Sequence, residues 1–295
     1  MVRAAAIAAF AVAVLAVVVA SAEVTAGRTD PEQALVSGRY PTLHAVSDLP
    51  GARAVVFPGP AAVQSARAFA AERRGRIAFA VGDGDGDISG QAFDRVYHSA
   101  SLVKAMILVA YLDRVPDRSA AETAWLDGMI RVSDNYSASQ LFKRLGPGPL
   151  RDLARRAGLK SFTIGDDWAG ARVTAADQVR FFLALDRLLP RAADRDYARY
   201  LLSHVAPFHS WGIPEAARPL GWQVYFKGGW RPDSSGQLVH QAGLLERSGH
   251  RIAIAVLTDG SPSESYAHDT IRGVAEHLLG RAAQPGVLMP IRSLG

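Results

Sequence analysis

The sequence contains no cysteine. Disulfides, thiolate zinc sites, a cysteine nucleophile and a lipid anchor on a cysteine are therefore excluded, and the fold must hold by packing. Its eight histidines show no H-E-x-x-H or comparable spacing, so no metal and no cofactor is expected. Positive charge never collects into a run: 33 Lys+Arg stand against 28 Asp+Glu, scattered along the chain, which reads as a solvated surface and not as the basic stripe of a nucleic-acid binder. No internal repeat is evident.

What the sequence does have is bulk and one long apolar run. With 295 residues and 49% hydrophobic content it can bury one large core, or two lobes that share a cleft. Arg3 precedes unbroken apolar and small residues from Ala4 to Ala20, then Ser21, Ala22 and Glu23. Ala20, Ser21 and Ala22 form an A-x-A-like cleavage site, so residues 1–22 are expected to be a removable export signal, with membrane attachment through residues 4–20 the open alternative. Residues 23–58 mix Gly, Pro, Ser and Thr without a sustained period and read as a linker; residues 59–295 are expected to fold, as a monomer, outside the cytoplasm or in the cell envelope.

Within that domain the periodicity changes four times. Pro60 to Arg74 has helical spacing, Ile77 to Val81 reads as a strand, and Gln91 to Tyr97 as its returning partner. Helical signals fill about 101–205: Ser101 to Asp113, Ala120 to Arg131, Ala138 to Leu145, Gly148 to Ala157, Ala175 to Leu189 after Thr174 as N-cap, and Asp194 to His204. Strands return at Trp222 to Trp230, Gln237 to Arg247 and Arg251 to Asp259, before an amphipathic helix from Ser263 to Leu279. That order predicts an α+β fold of three layers: a five-stranded antiparallel sheet flanked by terminal helices, with an inserted all-helical lobe.

Three short clusters carry chemistry. Ser101 to Tyr111 reads SLVKAMILVAY, apolar on almost every side and so expected to be buried, yet it contains Lys104. Residues i and i+3 share a helix face, so a desolvated lysine would sit beside the Ser101 hydroxyl at a helix N-terminus, as a base beside a nucleophile. A serine that merely caps the helix and a lysine that snorkels to solvent fit the same pair. Ser133, Asp134 and Asn135 fall between two helices, where all three types also serve as caps. Lys227, Gly228 and Gly229 end a strand in which Trp222, Val224 and Phe226 alternate with Gln223, Tyr225 and Lys227; two glycines there imply that something approaches the backbone closely.

S-x-x-K, then S-D-N, then K-[TS]-G in that chain order resembles class A β-lactamases and penicillin-binding DD-peptidases. The matching residues here are Ser101 to Lys104, Ser133 to Asn135 and Lys227 to Gly229, and Tyr97 matches an aromatic often found four residues before the serine. The resemblance spans about Pro60 to Leu279 and implies an acyl-enzyme on Ser101, with Lys104 as base or relay. It implies that Ser133 passes a proton to the leaving nitrogen and Lys227 holds Ser133 and attracts the substrate carboxylate. Asn135 would bind the substrate amide and Asp134 pin its loop. The amides of Ser101 and Trp230 would form the oxyanion hole, with the substrate lying along the strand that ends at Gly229. The implied substrate is a small molecule such as a β-lactam, or a peptidoglycan-derived amide; a catalytically silent relative that binds peptidoglycan or a partner protein in the same cleft, and a membrane-anchored scaffold, are the competing expectations.

The match departs in three places. Gly228 replaces the Thr or Ser whose hydroxyl helps bind the substrate carboxylate, and the interval from Ser101 to Ser133 is short. The segment LKSFTIGDDWAGARVT, from Leu159 to Thr174, lacks the E-x-x-N that supplies a deacylating glutamate; Asp166 or Asp167 stands there either as a substitute base or as an exposed turn former. Asp83, Asp85 and Asp87 resemble the start of a calcium loop, but Ile88 stands where that loop needs Gly, and a hairpin turn fits the flanking strands. His98 lies near the proposed nucleophile, with a packing or surface role expected and tuning of that serine the alternative, and Trp211, Trp222 and Trp230 fit either a groove or the core.

Overall fold

The computed structural model describes residues 58–84 and 87–280. The expected export segment 1–22, almost all of the linker 23–58 and Asp85 lie outside them. Among the described residues no helix is long and apolar enough to cross a membrane.

Strands β1 (Arg76–Asp83), β2 (Ile88–Gln91), β5 (Gln223–Asp233), β6 (Gly236–Arg247) and β7 (His250–Ser261) form one antiparallel sheet in the order β2-β1-β7-β6-β5. The central strand β7 is buried without interruption from Ile252 to Asp259, the pattern of a sheet covered on both faces. Helices α1 (Pro60–Ala71) and α10 (Glu264–Leu278) meet on one face. Helix α6 (Ala175–Leu183), capped by Thr174, whose hydroxyl accepts from the Asp177 amide at 3.0 Å, covers the other. Strand β5 forms the sheet edge that borders the helical lobe.

Helix α2 (Val103–Arg114) is the hub of that lobe. It packs against α3 (Ala120–Arg131), α4 (Asn135–Leu145), α5 (Pro147–Ala157), α7 (Leu185–Leu188) and α8 (Ala192–Ser203), which is why Val103 to Leu112 are all buried. Helix α3 starts on a capping box: Ser119 Oγ accepts from the Glu122 amide at 3.3 Å and Glu122 Oε2 from the Ser119 amide at 2.8 Å.

Two elements differ from expectation. The strand returning from β1 covers Ile88–Gln91, not Gln91 to Tyr97. A Cβ at Gly90 would lie 2.0 Å from Phe79 O, so the strand lies flush on β1 there, and Ala92 at φ 47° then turns the chain out of the sheet. Tyr97–His98 (β3) pairs instead with Arg172–Val173 (β4). The helix expected from Ala175 to Leu189 breaks at Ala184 into α6 and α7.

Candidate active site

Ser101 is the second residue of a 3₁₀ turn, Ala100–Leu102, that leads into α2. Ala100 before it has φ 44° and Ser133 across the cleft has φ 59°, a left-handed region that costs a non-glycine residue about 1–3 kcal/mol. The surroundings hold this shape. The Ser99 amide donates to Ala171 O at 2.8 Å, and the ring Nε2 of His240, on β6, meets His98 O at 2.9 Å.

His240 is a residue that sequence reasoning missed, because a single histidine in an apolar strand carries no signal. Fully buried, it accepts the Thr258 amide on Nδ1 at 3.1 Å, so Nε2 carries the proton donated to His98 O. Burial, against opposing backbone contacts, lowers its pKa from 6.5 to about 4. A proton that the unfolded chain binds below pH 6.5 is thus refused by the folded one until about pH 4, and stability held above pH 6.5 is lost across that window. The expected loss is about 3 kcal/mol. His240→Gln should flatten this part of the urea-midpoint profile between pH 7 and 4; an unchanged profile would discard the assignment.

Lys104 is completely buried. Its Nζ donates to Ser133 O at 2.5 Å and Asn135 Oδ1 at 2.7 Å and lies 3.3 Å from Ser133 Oγ. From the other side Lys227 Nζ reaches the same hydroxyl at 3.1 Å and Gly228 O at 2.8 Å. Burial brings Lys104 down to about 8, against an opposing pull from the Asp134 carboxylate. Burial first, and then Lys104, pushes Lys227 well below the ordinary ammonium range. Asp134 itself caps α4, accepting the Ser137 amide at 2.6 Å. Among the described residues no hydrogen bond joins Ser101 Oγ to Lys104; the amine is turned toward Ser133 and Asn135. Such bonds often tighten only around a substrate.

The glycines of β5 have separate reasons. A Cβ at Gly229 would lie 2.7 Å from Ser101 N and 2.8 Å from Leu102 N, so the strand passes directly against the backbone of Ser101. At Gly228 a Cβ would meet the Trp211 ring at 3.3 Å. Trp211 and Trp222 belong to the core, whereas Trp230 is half-buried and helps line a cleft of about 230 Å³ with Ser101, Ser133, Asn135, Trp168 and Arg231. A larger hollow of about 430 Å³, bordered by Arg114, Arg144 and Asp152, has no serine or lysine in its lining.

Asp166 and Asp167 are exposed, and Asp167 Oδ1 accepts from the Ala169 amide at 3.1 Å, the geometry of a turn former. The side chain of this loop that faces Lys104 is Trp168, whose ring centre lies 5.0 Å from Nζ and whose Nε1 donates to Ser139 Oγ at 3.1 Å. Asp83 closes β1 and Ile88 opens β2, with Gly82 paired to Ile88 as in a hairpin. His98 lies just before the Ala100–Leu102 turn, held through its carbonyl.

A sheet with terminal helices on one face, a helical lobe on the other and two lysines converging on one serine hydroxyl define the class: serine β-lactamases and penicillin-binding DD-peptidases. The chain belongs to the beta-lactamase enzyme family, whose model matches residues 122–282, a stretch that contains Ser133, Asn135 and Lys227 and begins after Lys104. A beta-lactamase from Chitinophaga pinensis is similar in structure, with TM-score 0.65 and 14% identity over 75% of this chain and 99% of that one. PBP-A is similar at TM-score 0.64 and 17% identity, covering 75% and 95%. A variant of an ancestral class A beta-lactamase of Gram-negative bacteria (GNCA4) is similar at 0.61 and 20%, covering 75% and 97%. These likenesses show the fold. No curated protein sequence matches the chain.

Proposed function

We propose that the chain is an exported serine hydrolase or acyltransferase that forms an acyl-enzyme on Ser101 with a β-lactam or a D-Ala-D-Ala-like amide. The observation that carries this is the Lys104 amine: with its N–H groups taken by Ser133 O and Asn135 Oδ1 and its pKa near 8, the neutral form keeps a lone pair for a hydroxyl proton. Lys104 takes the Ser101 proton as Oγ bonds to the acyl carbon, and the resulting oxyanion is held by the Ser101 and Trp230 amides. The C–N bond then breaks as Ser133 Oγ gives its proton to the leaving nitrogen, and Ser133 is reprotonated through the lysines on either side. Asn135 holds the substrate amide, and Gly228 and Gly229 give the strand edge along which the substrate lies. Export rests on residues 4–20 and the A-x-A pattern after them.

Turnover of the adduct is slow in this reading, because Trp168, not a carboxylate, faces Lys104. The test is intact mass of the chain from Gly27 onward after exposure to a reporter penicillin and to a fluorophosphonate, beside Ser101→Ala. A long-lived adduct in the parent alone is expected. No adduct with either reagent would leave a silent relative that binds peptidoglycan or a partner protein through this cleft.

A further inference from the structure

The strand edge along which the proposed substrate lies has two unlike ends. At one end Lys227 Nζ reaches Ser133 Oγ at 3.1 Å, which in the proposed function is the side of the leaving nitrogen. Arg231 stands four residues on, about 13 Å away at the usual rise of a strand. Trp230, whose amide is assigned to the oxyanion hole, falls between the two, so Arg231 lies on the acyl side of the reacting carbon. Asn135, assigned to the substrate amide, lines the same cleft together with Trp168, Ala169 and Arg231. Alternation puts Lys227, Gly229 and Arg231 on one face of β5, the face on which Gly229 lies against the backbone of Ser101.

The Arg231 guanidinium is a cation with little to hold. Among the described residues its one ionic partner is Asp233, whose Oδ2 lies 3.7 Å away, beyond hydrogen-bond reach. Asp233 uses its other oxygen, Oδ1, to accept from the Ser234 hydroxyl at 3.1 Å and the Ser235 amide at 3.3 Å. Arg231 Nε is shielded from solvent and has no hydrogen-bond partner, although the side chain as a whole is only half-buried. A donor kept from water without an acceptor is a standing cost, and a ligand oxygen placed there removes it.

We infer that Arg231 determines specificity by binding a carboxylate carried on the acyl half of the substrate, so that the acyl donors taken up best are anionic on that side of the scissile amide. The guanidinium offers a planar fork, Nε included, that matches a carboxylate through two parallel hydrogen bonds. The Arg231–Asp233 pair is long and partly solvated, so a substrate carboxylate has little to displace. This rests on the acyl-enzyme reading above and narrows it: a peptide amide with an acidic side chain beside the acyl carbonyl fits the cleft better than one with a neutral side chain. No bond forms or breaks at Arg231, and the covalent steps stay as proposed there.

The test compares benzylpenicillin with its α-carboxy derivative, which differ by one carboxylate on the acyl side chain and share the ring carboxylate of the leaving half. Acylation efficiency is read from loss of the β-lactam ring and from adduct mass, corrected for hydroxide-catalysed ring opening. The α-carboxy compound is expected to be favoured about tenfold or more, the usual worth of a charge-assisted hydrogen bond. The ratio should fall to near one in Arg231→Gln, fall partway in Arg231→Lys, and rise in Asp233→Asn. Each ratio is taken within one protein, so a general loss of activity cancels, and fluorophosphonate labelling of Ser101 shows that a variant site is folded. A parent ratio of one or below overturns the inference. A preference that persists unchanged in Arg231→Gln, or in Arg231→Lys where the glutamine variant fails to label, belongs to the chain's net charge of +5 and overturns the role of Arg231. A parent that reacts with the fluorophosphonate but with neither penicillin overturns this inference alone. No adduct from any of the three reagents, with no loss of the β-lactam ring, overturns the acyl-enzyme reading and this inference with it.

Discussion

Lys104→Met should slow acylation of Ser101 by about 10²–10⁴-fold, the usual worth of a positioned base. Methionine is one heavy atom shorter and fills most of the buried site while removing the amine, so the fold should survive. The parent's rate should rise with pH through an apparent pKa near 8, because only the neutral amine accepts a proton and burial holds it there. The sign matters: an amine left at its ordinary value would place the rise near 10.5. Two amines converge on Ser133 Oγ, so the profile belongs to the pair, and Lys227→Met should move it. Stopped-flow acylation of the parent and both variants from pH 6 to 10 checks this. A parent profile flat through pH 8, or a Lys104→Met enzyme as fast as the parent, would remove Lys104 from the chemistry.

The second large effect is expected from the smallest substitution, Gly229→Ala. One added methyl would sit 2.7 Å from Ser101 N and 2.8 Å from Leu102 N, both backbone atoms that cannot swing aside. Either β5 or the nucleophile turn must shift, and a displacement of about 1 Å in a catalytic constellation costs roughly 100-fold in rate. Gly228→Ala is the control: its methyl would meet the Trp211 ring at 3.3 Å, a contact relieved by a few tenths of an ångström, so the expected loss is smaller. Equal acylation rates for the two variants would mean that Gly229 has no special place beside Ser101.

Much of this was legible in the sequence because it was local. The apolar run around Lys104 implied a helix buried on every side, and Val103 to Leu112 are buried. The strand meander from Gln223 to Ser261 was readable from alternation and Gly-containing turns, and Thr174 from its cap chemistry. What failed needed distant partners. The sequence near Tyr97 does not reveal that Tyr97–His98 pairs with Arg172–Val173. Three-residue spacing put Lys104 close behind Ser101 in the chain but did not give the lysine's rotamer, which is set by Ser133 and Asn135 on another segment. His240, Trp168 and Trp211 act through ring contacts with residues far away in the chain, and each reads in isolation as ordinary core.

The two halves of the proposed reaction cycle are built from material of unequal rigidity. In the proposed cycle attack draws on Ser101, in the turn that enters α2, and on Lys104 within that largely buried helix, whereas the stretch facing it, residues 159–174, has many solvent-facing positions and is moored at its start, where the Asp177 carboxylate accepts the Lys160 and Ser161 amides, each at 2.8 Å. In the proposed cycle, substitutions at its exposed positions should change how long an acyl group is retained, whereas Trp168, which faces Lys104, and Ala171, whose carbonyl holds the Ser99 amide, tie this stretch to the attacking half. If the proposed acyl-enzyme forms, hydrolysis, transfer to another acceptor and simple retention would be outcomes that one scaffold can exchange by drift at its rim.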